Sequence, residues 1–221
     1  MTRTEYRAAL KDVQLDVVEM SEMAASAITK SVQALKDRDM KASERVVKGD
    51  KQINKKRFAI EKKCMMLIAT QQPMARDLRM LGAVINIITD LERIADHADG
   101  IAKISISIGK DPLIKPLIDL PRMAEKGIDM LERSIKAFKN KDEVAARKVC
   151  DDDDEVDALY DQIYRELLLM MIEDPKIIKG ATYLMWAAHN LERIADRVTN
   201  IAERVVYMVT GKMEELNVSI Y

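Results

Sequence analysis

The chain has 221 residues, with 36 Lys and Arg against 37 Asp and Glu and a formal net charge of -1. That balance excludes a general nucleic-acid binder, because no excess of cations is left to neutralise phosphates. Hydrophobic residues make up 48% but aromatics only 4%, with 7 Gly and 5 Pro, which is enough apolar material for a core and too few turn residues for a sandwich or barrel. Cys64 and Cys150 stand far apart and form no Cys-x-x-Cys pair; a zinc ribbon or thioredoxin-type site is excluded, and a reduced, cytoplasmic setting is expected. The N-terminus runs straight into charged residues, and no run approaches the ~18 apolar residues of a membrane span.

In chain order, the first predicted helix covers residues 4–36, with apolar positions at Leu10, Val13, Val17, Met20, Ala24, Ala27, Ile28 and Leu35. Asp39 is a good N-cap for a second helix reaching Gln71. Pro73 breaks the chain before a third helix over 74–108. Pro112, Pro116 and Pro121 crowd one short window, which reads as a linker. Beyond it come helices over 121–139, 142–172 and 176–210, with Asp142 and Pro175 repeating the punctuation of Asp39 and Pro73. The tail after Gly211 carries little signal.

The six helices are one unit written twice. Asp90-Leu-Glu-Arg-Ile-Ala-Asp96 recurs as Asn190-Leu-Glu-Arg-Ile-Ala-Asp196, an offset of 100. Upstream the offset is 103, pairing Ser31 with Ser134, Asp39 with Asp142, Val46 with Val149 and Asp50 with Asp153. Short loops make neighbouring helices antiparallel. The expected fold is all-α: two three-helix bundles related by a pseudo-twofold, one over residues 1–108 and one over 121–221, joined by a Pro-rich linker at 109–120.

The repeated motif carries carboxylates. Glu92 and Asp96 are four residues apart and share a helical face. Asp99 continues their line, as Glu192, Asp196 and Glu203 do in the second copy. Folding the second and third helices about Pro73 brings Asp50 to the level of Asp96 and Asn54 to that of Glu92, at ~1.5 Å of rise per residue. The second hairpin does the same for Asp153 and Asp157 with Glu192 and Asp196. Close carboxylates repel unless a cation or protons lie between them, and oxygen ligands suit Mg²⁺, Ca²⁺, Mn²⁺ or oxidised iron, with Zn²⁺ also open. His189, three residues before Glu192, is a further candidate, whereas His97 falls on the other side of its helix. No P-loop, GxGxxG or Gly-x-Ser-x-Gly is present, and neither Glu92 nor Glu192 is followed by the Glu-x-x-His of diiron oxidases. No enzymatic activity is expected. A carboxylate-bridged metalloenzyme and a metal-free helical scaffold are the alternatives.

The two Leu-Glu-Arg-Ile-Ala-Asp motifs, with Val-Lys-Gly-Asp-Lys-Gln-Ile-Asn ending at Asn54 and Gln-Gln-Pro-Met-Ala-Arg-Asp-Leu-Arg ending at Arg79, resemble the PhoU family over residues 4–210. The resemblance implies a cytoplasmic negative regulator of phosphate uptake and of phosphate-starvation signalling. Such a protein connects the ATPase subunit of a phosphate ABC transporter to a phosphate-sensing histidine kinase. It also implies multinuclear iron or zinc held by Asp50 with Asn54, Glu92 with Asp96, Asp153 with Asp157, and Glu192 with Asp196. Asn54 departs from the all-acid pattern, and Lys103 stands where the second copy has Glu203. Methionine-containing helical surfaces also suit a homodimer.

Overall fold

The computed structural model describes residues 1–216. Residues 217–221, the end of the second expected unit, lie outside the described residues. Helix α1 spans Arg3–Asp37, α2 Met40–Gln71, α3 Arg76–Ile108, α4 Asp119–Asn140, α5 Glu143–Asp151, α6 Asp153–Glu173 and α7 Ile178–Thr210, with a 3-10 turn at Pro175–Ile177 ahead of α7. The first bundle is α1, α2 and α3. The second is α4, the interrupted arm α5–α6, and α7.

The ends of these helices follow from local chemistry. Thr2 and Glu5 form a reciprocal capping box at the start of α1. Asp39 and Asp142 accept the amides of Ala42 and Ala145 at 2.9 and 3.0 Å. Just before those caps, Arg38 and Lys141 take the left-handed conformation at the same φ of 56°. Ser31 and Ser134, both fully buried, return their hydroxyls to the carbonyls of Ile28 and Leu131. The 103-residue register read from the sequence is therefore a register of structure too.

Two expectations need correction. The helix predicted over 142–172 is interrupted at Asp152, so α5 and α6 replace one continuous rod, each lying on α7. Four acids in a row, Asp151 to Asp154, explain the break: three carboxylates in the first turn of α6 are favoured by a fresh helix N-terminus. The tail beyond Gly211, which carries little signal in the sequence, is placed as far as Leu216. Glu214 pairs with Arg147 at 2.9 Å and the Leu216 amide donates to Glu203 at 2.8 Å.

The core runs along α3 and α7. Ile87, Ile88, Leu91, Ile94 and Ile101 of α3 are fully buried, as are Ala187, Ala188, Ala195, Val198 and Ile201 of α7. The two helices pack on each other as well as on their own bundles, and each large aliphatic side chain so buried contributes roughly 1.5–3 kcal/mol. They run antiparallel and meet in reciprocal fashion. Arg197 reaches Asp90 at 3.6 Å, and His97 hydrogen-bonds Asn190 at 3.0 Å. Under the 100-residue offset these are the same contact made twice, so a pseudo-twofold axis passes between the Leu-Glu-Arg-Ile-Ala-Asp motifs. Among the described residues no helix is long and apolar enough to cross a membrane.

Candidate metal centres

The outer faces of the hairpins gather the carboxylates that the spacing placed at common levels. In the first bundle, α2 supplies Asp50 and Asn54, and α3 supplies Glu92, Asp96 and Asp99. Burial pushes the Asp50 carboxyl above its ordinary range, and the charges of Asp96 and Asp99 push it further. Glu92 is raised by burial and by Asp96, against the pull of Arg93 and Arg57. These are the marks of acids facing one another with too little positive charge between them.

The nearby cations lie on the same helices. Asn54 donates to Asp50 at 2.8 Å. Arg93 folds along its own helix to Asp96 at 3.1 Å and toward Glu92 at 3.7 Å, and Lys103 reaches Asp99 at 2.5 Å. One oxygen of Asp50 and one of Asp99 remain buried with no hydrogen-bond partner. Those two orphaned oxygens fit a hard cation. In the present rotamers, however, no three His, Cys, Asp or Glu side chains among the described residues converge closely enough to hold one. Arg93 and Lys103 are more than half exposed, so swinging them outward gives up ion pairs of little value.

The second bundle repeats the plan with differences. Asp157 of α6 is raised by burial and then by Asp196, Asp154 and Asp161. Arg193 holds Asp196 at 2.5 Å, as Arg93 holds Asp96. Glu192 is buried, and His189 approaches it at 3.4 Å. Asp153 is fully buried, and both acids are engaged within the chain. Glu203 is turned to the tail amide of Leu216. Thr199, the counterpart of Asp99, returns its hydroxyl to the Asp196 carbonyl at 2.7 Å. His97 belongs to the bundle–bundle contact and not to the carboxylate face, in keeping with its side of α3.

Two neighbours of the acids carry no motif of their own. Arg57 acts on Glu92, and the Glu192 charge acts on Tyr160. They are 103 residues apart and so occupy one place in the repeat, which is the signal that could have found them. Cys64 and Cys150 are buried, and burial pushes each thiol up to about 12, which leaves both inert as ligands or nucleophiles at neutral pH.

The fold and its two carboxylate faces define an all-helical, internally duplicated class of protein. The model of the PhoU domain matches residues 17–105 and 120–205, and the chain belongs to the PhoU family of phosphate-specific transport system accessory proteins. It is 37% identical over 204 residues to a PhoU homolog of Aquifex aeolicus, covering 92% of each chain. To a PhoU homolog of Clostridium acetobutylicum it is 35% identical over 218 residues, covering 98% of this chain and 100% of the relative. The crystal structure of PhoU from Pseudomonas aeruginosa superposes with a TM-score of 0.89 at 32% identity, covering 94% of this chain and 100% of that one.

Proposed function

We propose that this chain is a cytoplasmic negative regulator of phosphate uptake and of the phosphate-starvation response. It acts as an adaptor between the ATPase subunit of a phosphate ABC transporter and a sensor histidine kinase. The observation that carries the reading is the end-to-end match, in sequence and in fold, to phosphate transport accessory proteins. An adaptor of this kind performs no turnover. Phosphate status shifts which partner is held, and only a partner that favours one state of the assembly can shift it. Deletion in a host with one copy should derepress phosphate uptake; wild-type control of uptake in the deletion strain would overturn the reading.

The carboxylate faces are proposed to bind cations. Asp50, Glu92, Asp96 and Asp99 would hold one group, with Asn54 orienting Asp50, and Asp153, Asp157, Glu192 and Asp196 the other. Iron and zinc are the first choices, with Mg²⁺, Mn²⁺ and Ca²⁺ as the other candidates. A bound cation supplies charge neutralisation between the helices of each hairpin. The raised carboxyls of Asp50, Glu92 and Asp157 support this reading. The rival is a regulator whose acidic faces are bare partner contacts, and the lack of converging triads among the described residues favours it. Metal content per chain, measured on untagged wild type and on the Glu92→Ala, Glu192→Ala double variant, separates the two. Metal present in wild type and lost in the variant supports the centres; none in either, with the fold intact, leaves partner contacts.

A further inference from the structure

The middle segment of each bundle, α2 in one and the α5–α6 arm in the other, forms a flank of the molecule, and the two flanks carry opposite charge. Helix α2 has nine Lys and Arg against three Asp and Glu, whereas residues 143–173 have three against ten. Helix α2 packs only on α1 and α3, and the arm only on α4, α7 and the 3-10 turn ahead of α7. The flanks do not meet within one molecule, so neither can answer the charge of the other there.

The 103-residue register aligns the two flanks level by level. Buried Val46, Ile53 and Ile60 of α2 answer to buried Val149, Val156 and Ile163, so the register holds across the break at Asp152 and the exposed faces correspond too. On that exposed side Glu44, Lys48 and Lys51 of α2 stand where the arm has Arg147, Asp151 and Asp154. The sign is inverted at all three levels. Lys48, Lys51, Asp151 and Asp154 are exposed and make no ion pair among the described residues, while Arg147 already holds Glu143 and Glu214. Further along, both faces turn apolar. Met65 and Met66 are 55% and 56% exposed, and their counterparts Leu168 and Leu169 are 37% and 62% exposed. Two levels are alike in charge, Arg45 with Lys148 and Lys62 with Arg165. In each, the arginine is held in its own chain, Arg45 by Asp39 at 3.8 Å and Arg165 by Asp161 at 2.9 Å.

We propose that α2 of one molecule docks, running in the same direction, on the α5–α6 arm of a second copy of this chain. Parallel alignment sets Lys48 and Lys51 against Asp151 and Asp154, and Met65 and Met66 against Leu168 and Leu169. Antiparallel alignment would set the apolar pair of each helix against charge on the other. From Lys48 to Met66 the contact runs roughly 27 Å. The opposite charges steer the encounter and fix its register, and burial of the apolar ends supplies the larger part of the affinity. The joined surfaces are unlike, so the contact is heterologous: a pair of molecules still offers one basic and one acidic flank, and assembly continues past the dimer. None of the joined residues is proposed to hold a cation, and the inference does not depend on the adaptor reading.

The test is sedimentation velocity on the full, untagged chain, from about 1 to about 100 µM, at low salt and at about 0.5 M salt. Three forms are compared: wild type, a basic-flank variant with Lys48→Glu and Lys51→Glu, and an acid-flank variant with Asp151→Lys and Asp154→Lys. Wild type at low salt should show a mean mass that rises with concentration beyond that of a dimer, and should associate about tenfold or more weakly at high salt. Each variant alone should remain monomeric. Mixed in equal amounts the two should associate again, because one keeps its acidic flank and the other its basic flank. The basic-flank variant, added to wild type, should shorten the assemblies, since it joins by its acidic flank and offers no basic one. This arm needs only substitutions of exposed lysines, so it decides even if the acid-flank variant does not fold. A wild type that stays monomeric throughout, a dimer that does not grow with concentration, or association that the basic-flank variant neither loses nor shortens would each overturn the proposal. So would two folded variants that fail to associate on mixing.

Discussion

At the scale of single residues, two positions carry clear consequences. Asp16 is largely covered and sits between Lys56 and Lys63. Burial alone would raise its carboxyl, but hydrogen bonds from the two lysines bring it below the ordinary 3.8. A lowered carboxyl contributes stability above its unfolded-state value and loses it as the pH falls through the folded one. Asp16→Asn is therefore expected to cost about 1 kcal/mol at pH 7 and to flatten the acid limb of the stability curve below pH 4, read by denaturant titration across pH. Gly180 is the second position. A Cβ there would come within 2.8 Å of the Ile114 side chain, which lays the linker on α7. Gly180→Ala should destabilise by roughly 1 kcal/mol in wild type but stabilise by a similar amount in an Ile114→Ala background, where only the helix preference for alanine remains. A double-mutant cycle reads that reversal of sign directly. Neither contact was legible in the sequence, because Asp16 meets its lysines across 40 and 47 residues and Gly180 meets Ile114 across 66. The carboxylates of Glu92 and Asp96 were legible, since a spacing of four on a helix is local geometry and needs no knowledge of the fold.

At the scale of elements, the helical hairpins set the behaviour of the acidic faces. Counting residues from Pro73 put Asp50 level with Asp96, and the rise of the Asp50 carboxyl, to which the Asp96 charge contributes after burial, agrees. The count worked because two straight helices sharing a turn have one rise per residue. It was blind to the break at Asp152, because capping preference and helix continuity compete there and the sequence does not say which wins. It was equally blind to the tail, whose Glu214 and Leu216 contacts are tertiary. A raised carboxyl destabilises the fold at pH above its folded value, so neutralising either acid of a repelling pair relieves the helices. Glu92→Gln with Asp157→Asn should raise the melting temperature of the metal-free chain by a few degrees, equivalent to about 1 kcal/mol. If the faces bind cations, excess Zn²⁺ or Fe²⁺ should raise the wild-type melting temperature and chelator should reverse it, while the variant responds less; thermal scans with and without metal decide.

At the scale of the whole molecule, α3 and α7 form a shared wall, so neither bundle is complete alone. A chain ended near residue 112 would expose the side of α3 that packs on α7. That half is expected to fold only as a dimer, α3 against α3, with a melting temperature that rises with protein concentration; a stable monomer in sedimentation would refute this. In such a dimer the axis would set Asp90 against His97 twice over. The full chain instead sets Asp90 against Arg197 and Asn190 against His97, one ion pair and one amide–imidazole pair in equivalent places. The duplication itself was plain in the sequence, but this crosswise pairing needed the antiparallel meeting of two helices a hundred residues apart. The covalent tether between the halves is what makes it tolerable. Held by a linker of about ten residues, each half meets the other at an effective concentration in the millimolar range, so the joint need not be tight enough to survive dilution. Symmetric assembly forces every change to appear on both sides at once. A fused pair is released from that constraint, and each half can be altered singly.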